Sequence, residues 1–141
     1  MGAQGQRGRD RVLIANCSGY FGDRLAAARE MVQGGPIDVL TGDYLAELTM
    51  AILFAQKMKK PETGYVPTFL KQMEEVMGEC LNKGIRVVSN AGGLNPRGLA
   101  AELKKIADAL GLNPKIACIE GDDLMGRLAD LQAQGEAFTL L

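Results

Sequence analysis

Apolar residues recur along this chain with two periods. Short continuous runs alternate with longer stretches whose apolar positions fall three and four residues apart. Residues 11–15 (Arg-Val-Leu-Ile-Ala) form the first short run, bounded by Asn16, Cys17, Ser18 and Gly19. Its length and flanks predict a buried strand. Residues 23–33 follow, with Leu25, Ala28, Met31 and Val32 at helical spacing. Asp23 is placed to cap that helix and Gly34-Gly35 to end it. A second strand is predicted over residues 37–40 after Pro36.

Thr41-Gly42-Asp43 leads into a helical run whose stripe is Leu45, Leu48, Ile52 and Ala55. Lys57, Lys59 and Lys60 crowd its end, where cations complement the helix dipole. Residues 61–66 read as a loop. A third helix spans residues 67–83, with Leu70, Met73, Met77, Cys80 and Leu81 on its buried face and Gly84 closing it. The β-branched run 85–89 predicts the clearest strand. Asn95-Pro96 is an N-cap and first-turn pair for a helix carrying Leu99, Leu103, Ile106, Ala107 and Leu110. A fourth strand is predicted over residues 115–119, and a helix-like run over residues 124–134.

Strands alternating with helices imply right-handed crossovers. The expected class is α/β: an open, mostly parallel sheet of about four strands, flanked by helices in a Rossmann-like three-layer arrangement. Residues 1–10 read as a disordered, Gly-rich leader and residues 11–141 as one domain. The run 138–141 stops without an evident finish, as expected of the N-terminal part of a longer protein.

Small, polar and acidic residues concentrate at 16–23, 41–43, 89–95 and 120–123, each directly after a predicted strand. The carboxyl ends of parallel strands share one edge, and ligands bind beyond it where strand order reverses. The expected site therefore gathers these four loops. Asp43, Asp122 and Asp123 are its candidate catalytic groups, able to move a proton or, with Glu120, to hold a hard cation. The alternative for each aspartate is a helix cap. Asn16, Ser18, Gly19, Gly22, Asp23, Asn90, Gly92, Gly93, Asn95 and Glu120 are the candidate binding residues. The glycines before helix starts could bring backbone N–H groups to an anion. Neither GxxxxGK[ST] nor GxGxxG occurs. No cofactor is identified and no dedicated metal ligand is assigned. Asp38, inside a strand, needs a partner, and Arg86 is one candidate.

Composition narrows the chemistry. Hydrophobic residues make up 47% of 141 residues and charged residues 23%, with aromatics at 5% and no Trp. The core must therefore come from aliphatic residues and Met. A net charge of -1 argues against nucleic acid as a partner. There is no apolar signal region and no membrane-length apolar stretch, so a cytoplasmic location is expected. Three widely spaced cysteines, Cys17, Cys80 and Cys118, fit reduced thiols. Histidine is absent, which excludes Ser-His-Asp and Cys-His catalysis and His-ligated metals within the chain. Cys17 could act as a nucleophile only with its pKa lowered by a helix N-terminus. Cys80 and Cys118 read as core. Tyr20 and Phe21 either cover a ligand or tuck into the core.

Four ordered stretches resemble the acyclic terpene utilisation family, AtuA. They are Ile14-Ala-Asn-Cys-Ser-Gly-Tyr-Phe-Gly-Asp-Arg24, Gly34-Gly-Pro-Ile-Asp-Val-Leu-Thr-Gly-Asp-Tyr-Leu-Ala-Glu-Leu-Thr-Met50, Val88-Ser-Asn-Ala-Gly-Gly-Leu-Asn-Pro96 and Glu120-Gly-Asp-Asp-Leu124. The resemblance runs from about Val12 to Leu124. It implies that the chain is the N-terminal portion of a longer protein. It also implies a place in bacterial breakdown of citronellol- and geraniol-type acids as CoA thioesters, beside a biotin-dependent acyl-CoA carboxylase. At position 17 the family pattern has Gly where this chain has Cys. A Cys nucleophile there would not be a shared mechanism.

The leading expectation is an enzyme, or part of one, acting on a branched acyl-CoA or related carboxylate. Its partner is then a small anionic molecule, with no nucleic acid and no membrane. One rival is a non-catalytic module that binds a small acidic ligand, or that assembles with an acyl-CoA carboxylase or with copies of itself. The other rival is a nucleotide-binding domain.

Overall fold

The computed structural model describes residues 11–138, and the predicted leader over residues 1–10 lies outside them. Three strands form one parallel sheet in the order β1-β2-β3: β1 is Ile14–Asn16, β2 is Val39–Gly42 and β3 is Arg86–Ser89. Five α-helices accompany them: α1 (Ala27–Gln33), α2 (Glu47–Lys59), α3 (Pro67–Lys83), α4 (Pro96–Ala109) and α5 (Leu128–Ala133), the last preceded by a 3-10 turn, Met125–Arg127. The α/β class is the expected one. No described helix is long and apolar enough to cross a membrane.

Two features depart from expectation. The predicted fourth strand over residues 115–119 is not formed. That segment runs without regular structure, with Ile116 and Ile119 exposed. A short apolar run becomes a strand only where a neighbour pairs with it. Among the described residues, β3 ends the sheet.

The second departure is the sheet's covering. Strands in the order β1-β2-β3 step in one direction, so right-handed crossovers put their helices on one face. Ala15, Leu40 and Val87 stand side by side in register and face the core. Ile14 and Val88, one position away, are 64% and 61% exposed. The expected second helical layer is thus missing over this face among the described residues.

The core lies between the sheet and α1, α3 and α4. α3 contributes more of it than any other element, through Phe69, Met73, Val76, Met77 and Cys80, and also buries Gln72. Gly84 ends α3 at φ 69°, a left-handed conformation that glycine adopts at no steric cost. In α2 the buried residues are Thr49 and Leu53, while Leu48, expected to face inward, is 72% exposed. Apolar residues surround this helix, so periodicity alone could not say which side packs. α1 begins at Ala27, four residues later than predicted, and Ala26 caps it without a side-chain bond.

Beneath the strand ends sits Tyr44, fully buried and edge-on to Phe69, with ring centroids 5.8 Å apart. Gly42 makes room for it. A Cβ at position 42 would lie 2.5 Å from Tyr44 Cε2. Gly42→Ala should therefore destabilise the fold by about 1–3 kcal/mol through overpacking. Urea unfolding measures this, and an unchanged midpoint would contradict the packing described.

Candidate functional site

The first three loops meet at the carboxyl ends of the strands. The Cys17 amide donates to the Thr41 carbonyl at 2.8 Å, extending the β1–β2 ladder into the loops. Next, the Asp43 amide donates to the Ser18 carbonyl at 3.0 Å. Asn16 Nδ2 donates to the same Ser18 carbonyl at 2.8 Å, and Thr41 Oγ1 donates to Asn16 Oδ1 at 3.3 Å. Asn90 joins the third loop to the second: its Nδ2 donates to Asp43 Oδ1 at 2.6 Å, and its Oδ1 accepts from the Tyr44 amide at 2.9 Å. Ser89 Oγ donates to the Gly42 carbonyl at 3.0 Å and accepts from the Ala91 amide. Asn16, Asp43 and Asn90 stay exposed while Ser18 is buried. An exposed carboxylate is thus held in place by a neighbouring amide, open to a ligand on the solvent side.

Below this layer runs a buried polar chain. The Tyr44 hydroxyl donates to Gln72 Oε1 and lies 3.7 Å from Cys17 Sγ, while Gln72 Nε2 donates to the Arg24 carbonyl at 3.4 Å. Burial pushes the Tyr44 hydroxyl and the Cys17 thiol above their ordinary pKa ranges. Cys17 is therefore an enclosed thiol whose pKa is raised, the opposite of the lowering a nucleophilic role needs. Sequence reasoning missed both Tyr44 and Gln72. The available signal was a lone polar residue, Gln72, on the apolar stripe of α3, where burial demands a partner.

The other candidates divide between turns and a second place. Asp23 does not cap a helix. Its Oδ2 accepts from the Gly19 amide at 2.9 Å and its Oδ1 from the Arg24 amide at 2.7 Å, closing the first loop. These two amides hold its carboxyl below the usual pKa range. Gly22 turns that loop at φ 86°. Tyr20 is exposed and Phe21 packs against the core. Gly92 and Gly93 are tightly enclosed: an added Cβ would lie 2.8 Å from Pro96 Cβ and 2.5 Å from Leu53 Cδ1, respectively. Asn95 caps α4 by accepting from the Gly98 amide at 2.9 Å, and its Nδ2 donates to the carbonyls of Glu62 and Thr63. Asp38 Oδ2 accepts from the Leu13 amide, and Arg86 meets Asp38 through the backbone.

Gly93, Asn95, Glu120, Asp122 and Asp123 line a separate cleft of about 510 Å3 beside the start of α4. Met50, Leu94, Leu124, Met125, Leu128 and Phe138 supply apolar walls. Asp43 and Asn90 are not among its lining residues. This cleft is lined by the end of the third loop and by the fourth, and no residue of the first two loops lines it. The order β1-β2-β3 contains no reversal, so the expected switch-point crevice is absent among the described strands. Nor do the carboxylates gather as a cation would require: no group of three Asp, Glu or Cys among the described residues could hold a metal ion.

Parallel strands, one-sided helices and a polar loop layer at the carboxyl ends define an α/β domain by class. Residues 12–140 match the model of a family described as "Acyclic terpene utilisation family protein AtuA". The chain belongs to that family. No curated protein matches it, and no solved structure does.

Three measurements check these assignments. Asn95→Ala should cost about 1–2 kcal/mol through loss of the α4 cap; unchanged stability in urea would show that the cap carries nothing. Cys118 is exposed while Cys17 and Cys80 are buried, so iodoacetamide at neutral pH should label Cys118 alone in the folded chain. Burial raises Cys80 from 9.0 to about 11. Above pH 9 the unfolded thiol ionises first, so stability should fall as pH rises from 9 towards 11. Cys80→Ala should flatten that slope. Labelling of Cys80 as fast as Cys118, or an unaltered slope, would contradict the burial.

Proposed function

We propose that this chain carries part of the active surface of an enzyme of acyclic terpene breakdown, acting on a branched acyl-CoA or related carboxylate. The carrying observation is the exposed Asp43 carboxylate, held by Asn90 Nδ2 at 2.6 Å where the first three loops meet. Family membership supports the pathway. In this reading Asp43 takes or returns a proton beside the substrate carbonyl. Asn16 and Asn90 orient the substrate, and backbone N–H groups of the first loop receive an anionic oxygen. Glu120, Asp122 and Asp123, in the second cleft, then contact a more distant part of the same ligand.

A second reading has one observation in its favour: the open sheet face bearing Ile14 and Val88. An assembly module, joining a carboxylase or a second copy of itself, would cover such a face. It predicts co-purification without turnover of any acyl-CoA.

Asp43→Asn should lower turnover of branched acyl-CoA thioesters about 100-fold or more while leaving the unfolding midpoint near wild type. Full activity in that variant would remove Asp43 from the reaction. Thermal shift with CoA, ATP and NAD separates the classes of ligand. A ligand at 100 times its Kd adds about 2.7 kcal/mol of stability. A shift with NAD or ATP but none with CoA would favour a nucleotide domain instead.

A further inference from the structure

We infer that residues 121–138 form a flap over the second cleft, latched to the body by the Arg97–Glu120 ion pair. The segment includes the 3-10 turn and α5, and none of its residues is buried. Its hydrogen bonds are internal: Asp123 Oδ1 accepts from the Met125 amide, the Leu124 carbonyl from Arg127, and the Leu131 carbonyl from Glu136. Among the described residues, no hydrogen bond or ion pair ties 121–138 directly to the rest of the chain. Its attachment is the half-buried Leu128 and Leu131, the apolar cleft wall, and the residue just before it.

That residue is Glu120. Arg97 Nε lies 2.8 and 2.7 Å from its two carboxylate oxygens, and Nη2 lies 2.7 Å from Oε2. Arg97 stands in the first turn of α4, so the pair fixes the root of the flap to a rigid element. Gly121 follows at once with φ 124°, which only glycine adopts freely, and an added Cβ there would meet nothing within 4 Å. A fixed point followed by a permissive residue is a hinge. The Arg97 side chain is 81% exposed, so the latch is open to salt and to competing anions. The residues beyond the hinge, Asp122 to Met125 with Leu128 and Phe138, are one wall of the cleft. Opening the latch therefore widens the cleft.

The inference does not depend on the proposed reaction. Hydrogen exchange read by mass spectrometry tests it on the 141-residue chain. At low salt, Glu120→Gln should raise the exchange rate of peptides covering 124–136 about two- to fivefold, the effect expected of an exposed ion pair. Peptides of α3 should not change. Wild type should approach the variant's rate at about 0.5 M salt, where exposed pairs are screened. The swap Arg97→Glu with Glu120→Arg should restore slow exchange. Flap exchange identical in wild type and Glu120→Gln at low salt would overturn the latch. So would equal acceleration of α3, because the substitution would then act on the whole fold.

Discussion

The structure depends on how a single buried tyrosine is satisfied. Tyr44 has no exposed surface, so its hydroxyl must find partners inside the protein or cost the fold about 1–3 kcal/mol. It finds Gln72 on α3 and lies beside Cys17 in the first loop. Its own backbone amide is taken by Asn90 of the third loop. One residue of the second loop thus ties the other two loops to the central helix. The exposed polar layer of Asn16, Asp43 and Asn90 sits on that support. Its positions follow from a hydrogen-bond chain that begins in the core.

The sheet imposes the complementary constraint. Three strands stepping in one direction leave all crossovers on one side. The carboxyl ends of the strands still share an edge, which is why three loops converge. The other face of the sheet keeps Ile14 and Val88 exposed. The chain from α4 onward passes over the start of that helix and is pinned there by Arg97 and Glu120, making a second cleft beside the loop layer.

Much of the architecture was legible in the residues. The strand and helix order, the α3 stripe closed by Gly84, and the Asn95-Pro96 start of α4 all follow from local patterning, and local patterning decides them physically. The fourth strand was not legible, because a run such as Lys115-Ile-Ala-Cys-Ile119 becomes a strand only when an edge receives it. Nor was the packed side of α2, whose Leu48, Phe54 and Met58 remain exposed around the helix. The candidate site was half legible. Asn16, Ser18, Asp43 and Asn90 come together as expected of strand-end loops. Gly93 and Asn95 have packing and capping roles, and Glu120, Asp122 and Asp123 belong to the other cleft. Tyr44 and Gln72 escaped notice because their importance arises from a contact between positions 28 residues apart. No local pattern encodes such a contact.

The most direct test is of the first three loops as one supported unit. Backbone amide spectra of the 15N-labelled chain can be compared between wild type and Tyr44→Phe. If Tyr44 supports the loops together, amides in 16–23 and 89–95 should both shift and lose protection from exchange, while α4 beyond its first turn stays unchanged. Changes confined to residues adjoining Tyr44 in the second loop would contradict it. The loops would then be independent turns that merely lie at the same edge of the sheet.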